Sequence, residues 1–116
     1  MRPAESQQRK GKDAMGFHTK IVGVTHDNPD GTSRQAIIAE LTMNTPIRLE
    51  RDLGNFYDPN AVRIVDAGGR QLGFLNRSLS EQLAPRMDAG ETIRVSISAL
   101  TGGGNYNRGV NIFVDA

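Results

Sequence analysis

The chain has 116 residues, of which 37% are hydrophobic, 23% are charged and none is cysteine. That suits one domain with its own core, and it excludes disulfides, thiol catalysis and Cys-ligated metals. The net charge is +1, but residues 1–15 hold four basic and two acidic side chains, which leaves 10 basic against 11 acidic in the rest. The body is no bulk polycation, so any contact with nucleic acid must run through a local patch.

Residues 1–15, MRPAESQQRKGKDAM, show no apolar periodicity and read as a disordered basic tail, either an electrostatic arm or a solvated terminus. One domain is expected over residues 16–116. Phe17 to Val24 reads as a first strand, followed by the turn formers THDNPDGTS. Arg34 to Leu41 reads as a second strand, although its Ala and Glu also tolerate helix. Ile47-Arg48-Leu49-Glu50 alternates as a half-buried strand does. Asp52 to Asn60, DLGNFYDPN, is the densest run of turn formers. Ala61 to Val65 and Gln71 to Leu75 read as strands about a turn at Ala67 to Arg70.

Ser78-Leu79-Ser80-Glu81 has the form of a capping box. Leu79, Leu83 and Met87 fall on one helical face, and Pro85 predicts a kink or an end near Ala84. Thr92 to Leu100 alternates cleanly as a strand. Thr101 to Arg108, TGGGNYNR, reads as a glycine-rich connection between two strands, either a flexible loop at a ligand's edge or a floppy hairpin, and Val110, Ile112 and Val114 alternate to the end. About six or seven short strands with one or two short helices predict a mainly β fold, a small closed or partly closed barrel. Its core is expected to include Ile21, Leu49, Val62, Ile64, Leu72, Leu83, Ile93, Val95, Ile97 and Ile112.

The longest apolar run, Ala36-Ile37-Ile38-Ala39, is far below the roughly 18 residues a membrane helix needs. No secretory apolar region follows Met1, so the expected location is cytoplasmic, with no membrane partner. No phosphate loop or Gly-x-Ser-x-Gly elbow is present, and His18 and His26 fit no zinc spacing, so no enzyme activity and no cofactor are expected. Glu50, Asp52, Asp58 and Asp66 are the one set that could gather for a metal-dependent nuclease. In DLGNFYDPNAV, Tyr57 could stack on a base while Asp58 accepts from a hydroxyl or base amine. Alternatively Phe56 or Tyr57 plugs a barrel end and Asp58 opens a turn. Tyr106 and Arg108 offer a ring and a phosphate contact at the glycine-rich loop.

Asn55-Phe56-Tyr57-Asp58-Pro59-Asn60-Ala61-Val62, followed by Gly69-Arg70-Gln71-Leu72-Gly73-Phe74-Leu75, resembles the HIRAN domain, a module of helicase-like fork-remodelling ATPases. The resemblance runs from about Phe17 to Val114, continuing through Leu83-Ala84 and Asp88-Ala89-Gly90. It implies an OB-like β-barrel that captures the 3′-hydroxyl end of single-stranded DNA. It also implies a stacking role for Tyr57, a hydroxyl-reading role for Asp58 and a phosphate contact at Arg77. Thr25, His26 and Asp27 stand where fork remodellers place a basic residue and an aromatic pair, and Phe74 stands for a His. His26 offers a second ring. Phe56, Asn60, Phe74 and Arg108 complete the candidate nucleic-acid-binding set.

The expected function is therefore a non-enzymatic module that binds single-stranded DNA or its 3′ end in DNA repair or replication-fork processing. The alternative is a module that docks a helicase-like or other DNA-processing protein without touching nucleic acid, which the body charge favours.

Overall fold

Alternation of apolar and polar side chains builds two three-stranded antiparallel sheets within residues 16–116, the part of the chain that the computed structural model describes. The expected tail over residues 1–15 lies outside the described residues. The first sheet holds β1 (Phe17–Lys20), β5 (Arg94–Gly103) and β6 (Tyr106–Asp115) in the order β1-β6-β5. The second holds β2 (Ile47–Arg51), β3 (Val62–Asp66) and β4 (Gln71–Phe74) in the order β2-β3-β4. Helix α1 (Arg34–Ile38) and helix α2 (Arg77–Asp88) complete the set.

The inward faces meet in one core. Val110, Ile112 and Val114 of β6 are buried with Ile97, and they join Val62, Ile64 and Leu72 of the second sheet. Ile21, Leu75, Leu79, Leu83, Ala84 and Ile93 close it, with Leu49 and Val95 packed at its margin. Each fully buried Val, Leu or Ile contributes about 1.5–3 kcal/mol against conformational entropy. All ten expected core residues lie in or against this cluster.

The sheets are joined where Val22 and Phe74 exchange two backbone hydrogen bonds, each of 2.9 Å. Gly73 permits that approach, because a Cβ there would lie 2.4 Å from the Val22 carbonyl oxygen. β2 lies against β5, but among the described residues no ladder joins them, so the hydrogen bonding forms two sheets instead of one closed barrel. The β5–β6 register slips between Ile97 and Ala99. Such a slip bends a strand and increases its twist, and it separates the core-facing start of β5 from the half that runs out to Gly103.

Four local expectations are corrected. Arg34 to Ile38 is helical, not a strand, because Ser33 Oγ caps it by accepting from the Ala36 amide at 3.1 Å. The helical repeat then buries Arg34, Ile37 and Ile38 together. The cap of α2 is Asn76, whose Oδ1 accepts from the Leu79 amide at 2.9 Å, whereas Ser78 already lies inside the helix. Asn76 wins because its Nδ2 also donates to Thr19 Oγ1 at 2.8 Å, which ties the helix start to β1. Of the kink or end expected near Ala84, the end is overturned: the helix passes through Pro85 to Asp88, and Pro85 and Glu81 both face solvent, so the carbonyl that loses its amide partner can be hydrated. Finally, of the two readings of TGGGNYNR the structure takes the hairpin and not the flexible loop. β5 and β6 pair up to Gly103 and Tyr106, and only Gly104 and Asn105 turn, with Gly104 at φ +63° as a tight two-residue hairpin requires.

Candidate nucleic-acid interface

The connection from β2 to β3 is shaped by its polar side chains. Asn55 Oδ1 accepts from the amides of Tyr57 at 2.8 Å and Asp58 at 2.9 Å, and its Nδ2 donates to Asp52 Oδ2 at 3.1 Å. Asp58 Oδ1 accepts from the Asn60 amide at 2.9 Å. These Asx turns satisfy the backbone within the loop and leave the two rings outside it. Phe56 is 99% exposed and Tyr57 is 90% exposed, so neither plugs the fold.

Beside Tyr57 runs an open groove of about 310 Å³. Val22, Ala61, Phe74 and Leu75 supply its apolar lining, and Asn55, Tyr57, Asp58 and Arg77 its polar one. Arg77 is the first residue of α2. Its Nη2 donates to the Tyr57 carbonyl at 3.1 Å, and its Nε lies 3.9 Å from Asp58 Oδ2. The Arg77 side chain is 67% exposed and that of Asp58 is 20% exposed. A contact of this length to an exposed arginine is worth about 0–1 kcal/mol, so the Arg77 guanidinium can serve a second anion while Nη2 stays on the Tyr57 carbonyl. Asp58 Oδ1 is engaged by a backbone amide, while Oδ2 faces only this loose cation, an acceptor held at the groove mouth.

Phe74 is backed by Arg34, whose guanidinium carbon stands 5.3 Å from the ring centroid. Arg34 is buried, with Nε donating to Asn28 Oδ1 at 2.6 Å and Nη1 to the Gly23 carbonyl at 2.8 Å. Burial presses its pKa below the usual arginine value, and the Asp27 charge partly offsets this. One face of Phe74 is thus occupied by a fixed cation, an arrangement attractive to a ring quadrupole.

The fold brings Tyr57, Asp58, Phe74 and Arg77 to one groove. Phe56 and Asn60 share the loop but do not line the groove. His26 is exposed next to Gly23: a Cβ there would stand 3.9 Å from His26 Cδ2 and 3.7 Å from Phe74 Cδ2. Arg108 lies off the groove on β6, where its backbone amide and carbonyl bond the Gln35 side chain of α1 at 2.8 and 2.9 Å. The acidic set scatters. Glu50 pairs with Arg63, Asp66 pairs with Arg70, and Asp52 holds Asn55. Among the described residues no three potential ligands of the His, Cys, Asp or Glu kind gather for a metal.

Sequence reasoning missed Asn55, Val22 and Arg34. An Asn two residues before an exposed ring is a recognisable Asx-turn signal for the first. Val22 reaches the groove only through the bridge between sheets, and Arg34 only through the fold of α1 against β4. The sequence carries no local sign of either.

A family model described as the HIRAN domain matches residues 17–114. The crystal structure of the HIRAN domain of human HLTF is similar at TM-score 0.59 and 22% identity, covering 85% of this chain and 74% of that one. A crystal structure of a protein from Lactobacillus plantarum is similar at TM-score 0.62 and 19% identity, covering 87% of this chain and 99% of that one. The NMR structure of the HLTF HIRAN domain gives TM-score 0.53 at 23% identity, covering 85% and 73%. At these identities the likeness to solved structures is one of fold. No curated protein matches the chain significantly in sequence.

Proposed function

The chain belongs to the HIRAN domain family, and from that membership and the groove beside Tyr57 we propose that it is a non-enzymatic module that binds single-stranded DNA by its 3′-hydroxyl end. One observation carries the reading: a ring that is 90% exposed stands next to a carboxylate whose Oδ2 faces only an exposed arginine 3.9 Å away. In this reading Tyr57 stacks on the terminal base above the apolar floor of Val22 and Phe74. An ionised carboxylate only accepts, so Asp58 takes the hydrogen of a free 3′-hydroxyl and repels a 3′-phosphate. Arg77 keeps its Nη2 bond to the Tyr57 carbonyl and presents its remaining donors to the adjacent backbone phosphate. The arrangement of sheets supports an OB-like, split barrel as the scaffold: β5, β6 and β1 connect through Val22 to β4, β3 and β2, with β2 beside β5. Capture of strand ends in the cytoplasm during repair or fork processing is the setting that this chemistry suits.

Fluorescence anisotropy with short strands that end in 3′-hydroxyl or 3′-phosphate tests the reading. The wild type is expected to prefer the hydroxyl end. Tyr57→Ala should weaken both strands by about 1–3 kcal/mol, the usual loss of one stacking contact. Asp58→Ala should weaken the hydroxyl strand and strengthen the phosphate strand, which narrows discrimination more than affinity. Equal wild-type affinity for the two ends removes the end-reading role. A complete lack of binding at low salt transfers the proposal to protein docking, for which Leu53 and Phe56, both exposed on the same loop, are the available surface.

A further inference from the structure

Arg51, the last residue of β2, is the most heavily engaged side chain around the recognition loop. Nη1 donates to the Ala61 carbonyl at 2.6 Å and Nη2 to the Pro59 carbonyl at 2.9 Å. Nε and Nη2 also reach the two carboxylate oxygens of Asp88 at 2.9 and 3.3 Å. Its side chain is 12% exposed. The planar fork of a guanidinium can serve a carboxylate and two carbonyls at once, which the point charge of lysine cannot. Asp88 ends α2, where the negative pole of the helix disfavours a carboxylate. Its presence there is compensated by Arg51.

The other end of α2 carries Arg77, which bonds the Tyr57 carbonyl and faces Asp58. The helix is therefore tied to the 52–61 loop at both ends, Arg77 at the start and Asp88 through Arg51 at the finish. An α-helix rises about 1.5 Å per residue, so α2, continuous from Arg77 to Asp88 despite the turn weakened by Pro85, sets the spacing between the two ties.

We propose that Arg51 is the positioning residue of this interface: it pins residues 59–61 to the foot of α2 and thereby sets the separation of Asp58 and Arg77. Its effect on DNA rests on the end-reading function above. Its effect on the loop does not, and the two are measured separately.

The variants are Arg51→Met, which keeps the aliphatic stem, Arg51→Lys, which keeps the charge, and Asp88→Asn, which removes the ion pair alone. Arg63→Met is the control, because it removes an ion pair of the same sheet, with Glu50, while leaving the loop contacts in place. Amide hydrogen exchange at Tyr57 and Asp58 reports the loop, the affinity ratio of 3′-hydroxyl to 3′-phosphate strands reports end reading, and thermal melting reports the fold. Arg51→Met is expected to speed exchange of both amides at least tenfold and to reduce the ratio at least fivefold. Arg51→Lys and Asp88→Asn should show smaller changes in the same direction. Arg63→Met should leave exchange and ratio unchanged, with the melting temperature moved little because the lost pair with Glu50 is part-exposed. Should Arg51→Met fail to fold, Asp88→Asn and Arg51→Lys decide the matter by the same two readouts. Wild-type exchange at both amides in folded Arg51 variants overturns the strut, whatever the DNA result. If the wild type does not discriminate between the ends but the amides still lose protection, the strut stands and the end-reading function falls.

Discussion

Asn55 illustrates how one side chain can set a site it does not itself supply with chemistry. Its Oδ1 holds two successive amides, and those amides belong to the ring and the carboxylate of the interface. Asn55→Ala frees both donors to water in an exposed loop, so the stability cost is expected to be small, about 0.5–1.5 kcal/mol. Binding should suffer more, because Tyr57 and Asp58 lose their fixed relation. Urea denaturation beside strand anisotropy checks this, and an affinity loss no larger than the stability loss contradicts it. The pair Tyr57 and Asp58 was legible in the sequence because both sit in one short turn. The partners that give the pair a floor and a cation were legible only in part. Arg77 and Phe74 were legible through the family resemblance, whereas Val22 and Arg34 arrive through tertiary pairing.

At the scale of elements, sequence reading succeeded where apolar alternation was long and failed where a short run left two periods open. β6 is the clear case, with Val110, Ile112 and Val114 all buried on one face. Ala36-Ile37-Ile38-Ala39 is the ambiguous one. A short apolar run looks alike in a buried strand and a buried helix turn, and only the Ser33 cap decides between them. Pro85 misled for a different reason: it weakens a helix without ending it when the affected turn faces water. The helix interior still bears that weakness. Pro85→Ala restores an amide that can bond the Glu81 carbonyl, at an exposed position where nothing packed is disturbed. The substitution is expected to raise stability by about 1–3 kcal/mol, less the entropy that the unfolded chain regains. Chemical denaturation measures it, and a destabilised variant would mean that Pro85 packs in a way α2 does not display.

The distribution of charge over the whole molecule decides how salt should act on binding. Outside residues 1–15 the chain carries 10 basic and 11 acidic residues, so no broad positive field draws a strand in. Among the described residues, five arginines are committed to acidic partners: Arg48 and Arg63 to Glu50, Arg51 to Asp88, Arg70 to Glu40 and Asp66, and Arg86 to Glu91. Arg34 is buried behind Phe74. Arg77 is the cation that borders the groove, and its pair with Asp58 is long, with the arginine exposed and the carboxylate half-buried. Each phosphate contact on a single strand contributes about 0.7 to the slope of log affinity against log salt. Arg77→Ala should therefore lower the slope by about 0.7 and weaken hydroxyl-ended and phosphate-ended strands to a similar degree. Arg108→Ala should leave the slope unchanged, since that residue lies off the groove beside α1. Anisotropy titrations of the full chain at four salt concentrations separate the two variants. An equal drop for both would mean that the strand runs beyond the groove and past His26 towards β6, giving the glycine-rich hairpin a part in binding. An unchanged slope in Arg77→Ala would remove the phosphate contact from the proposed interface and leave stacking by Tyr57 and the Asp58 hydrogen bond as its whole basis.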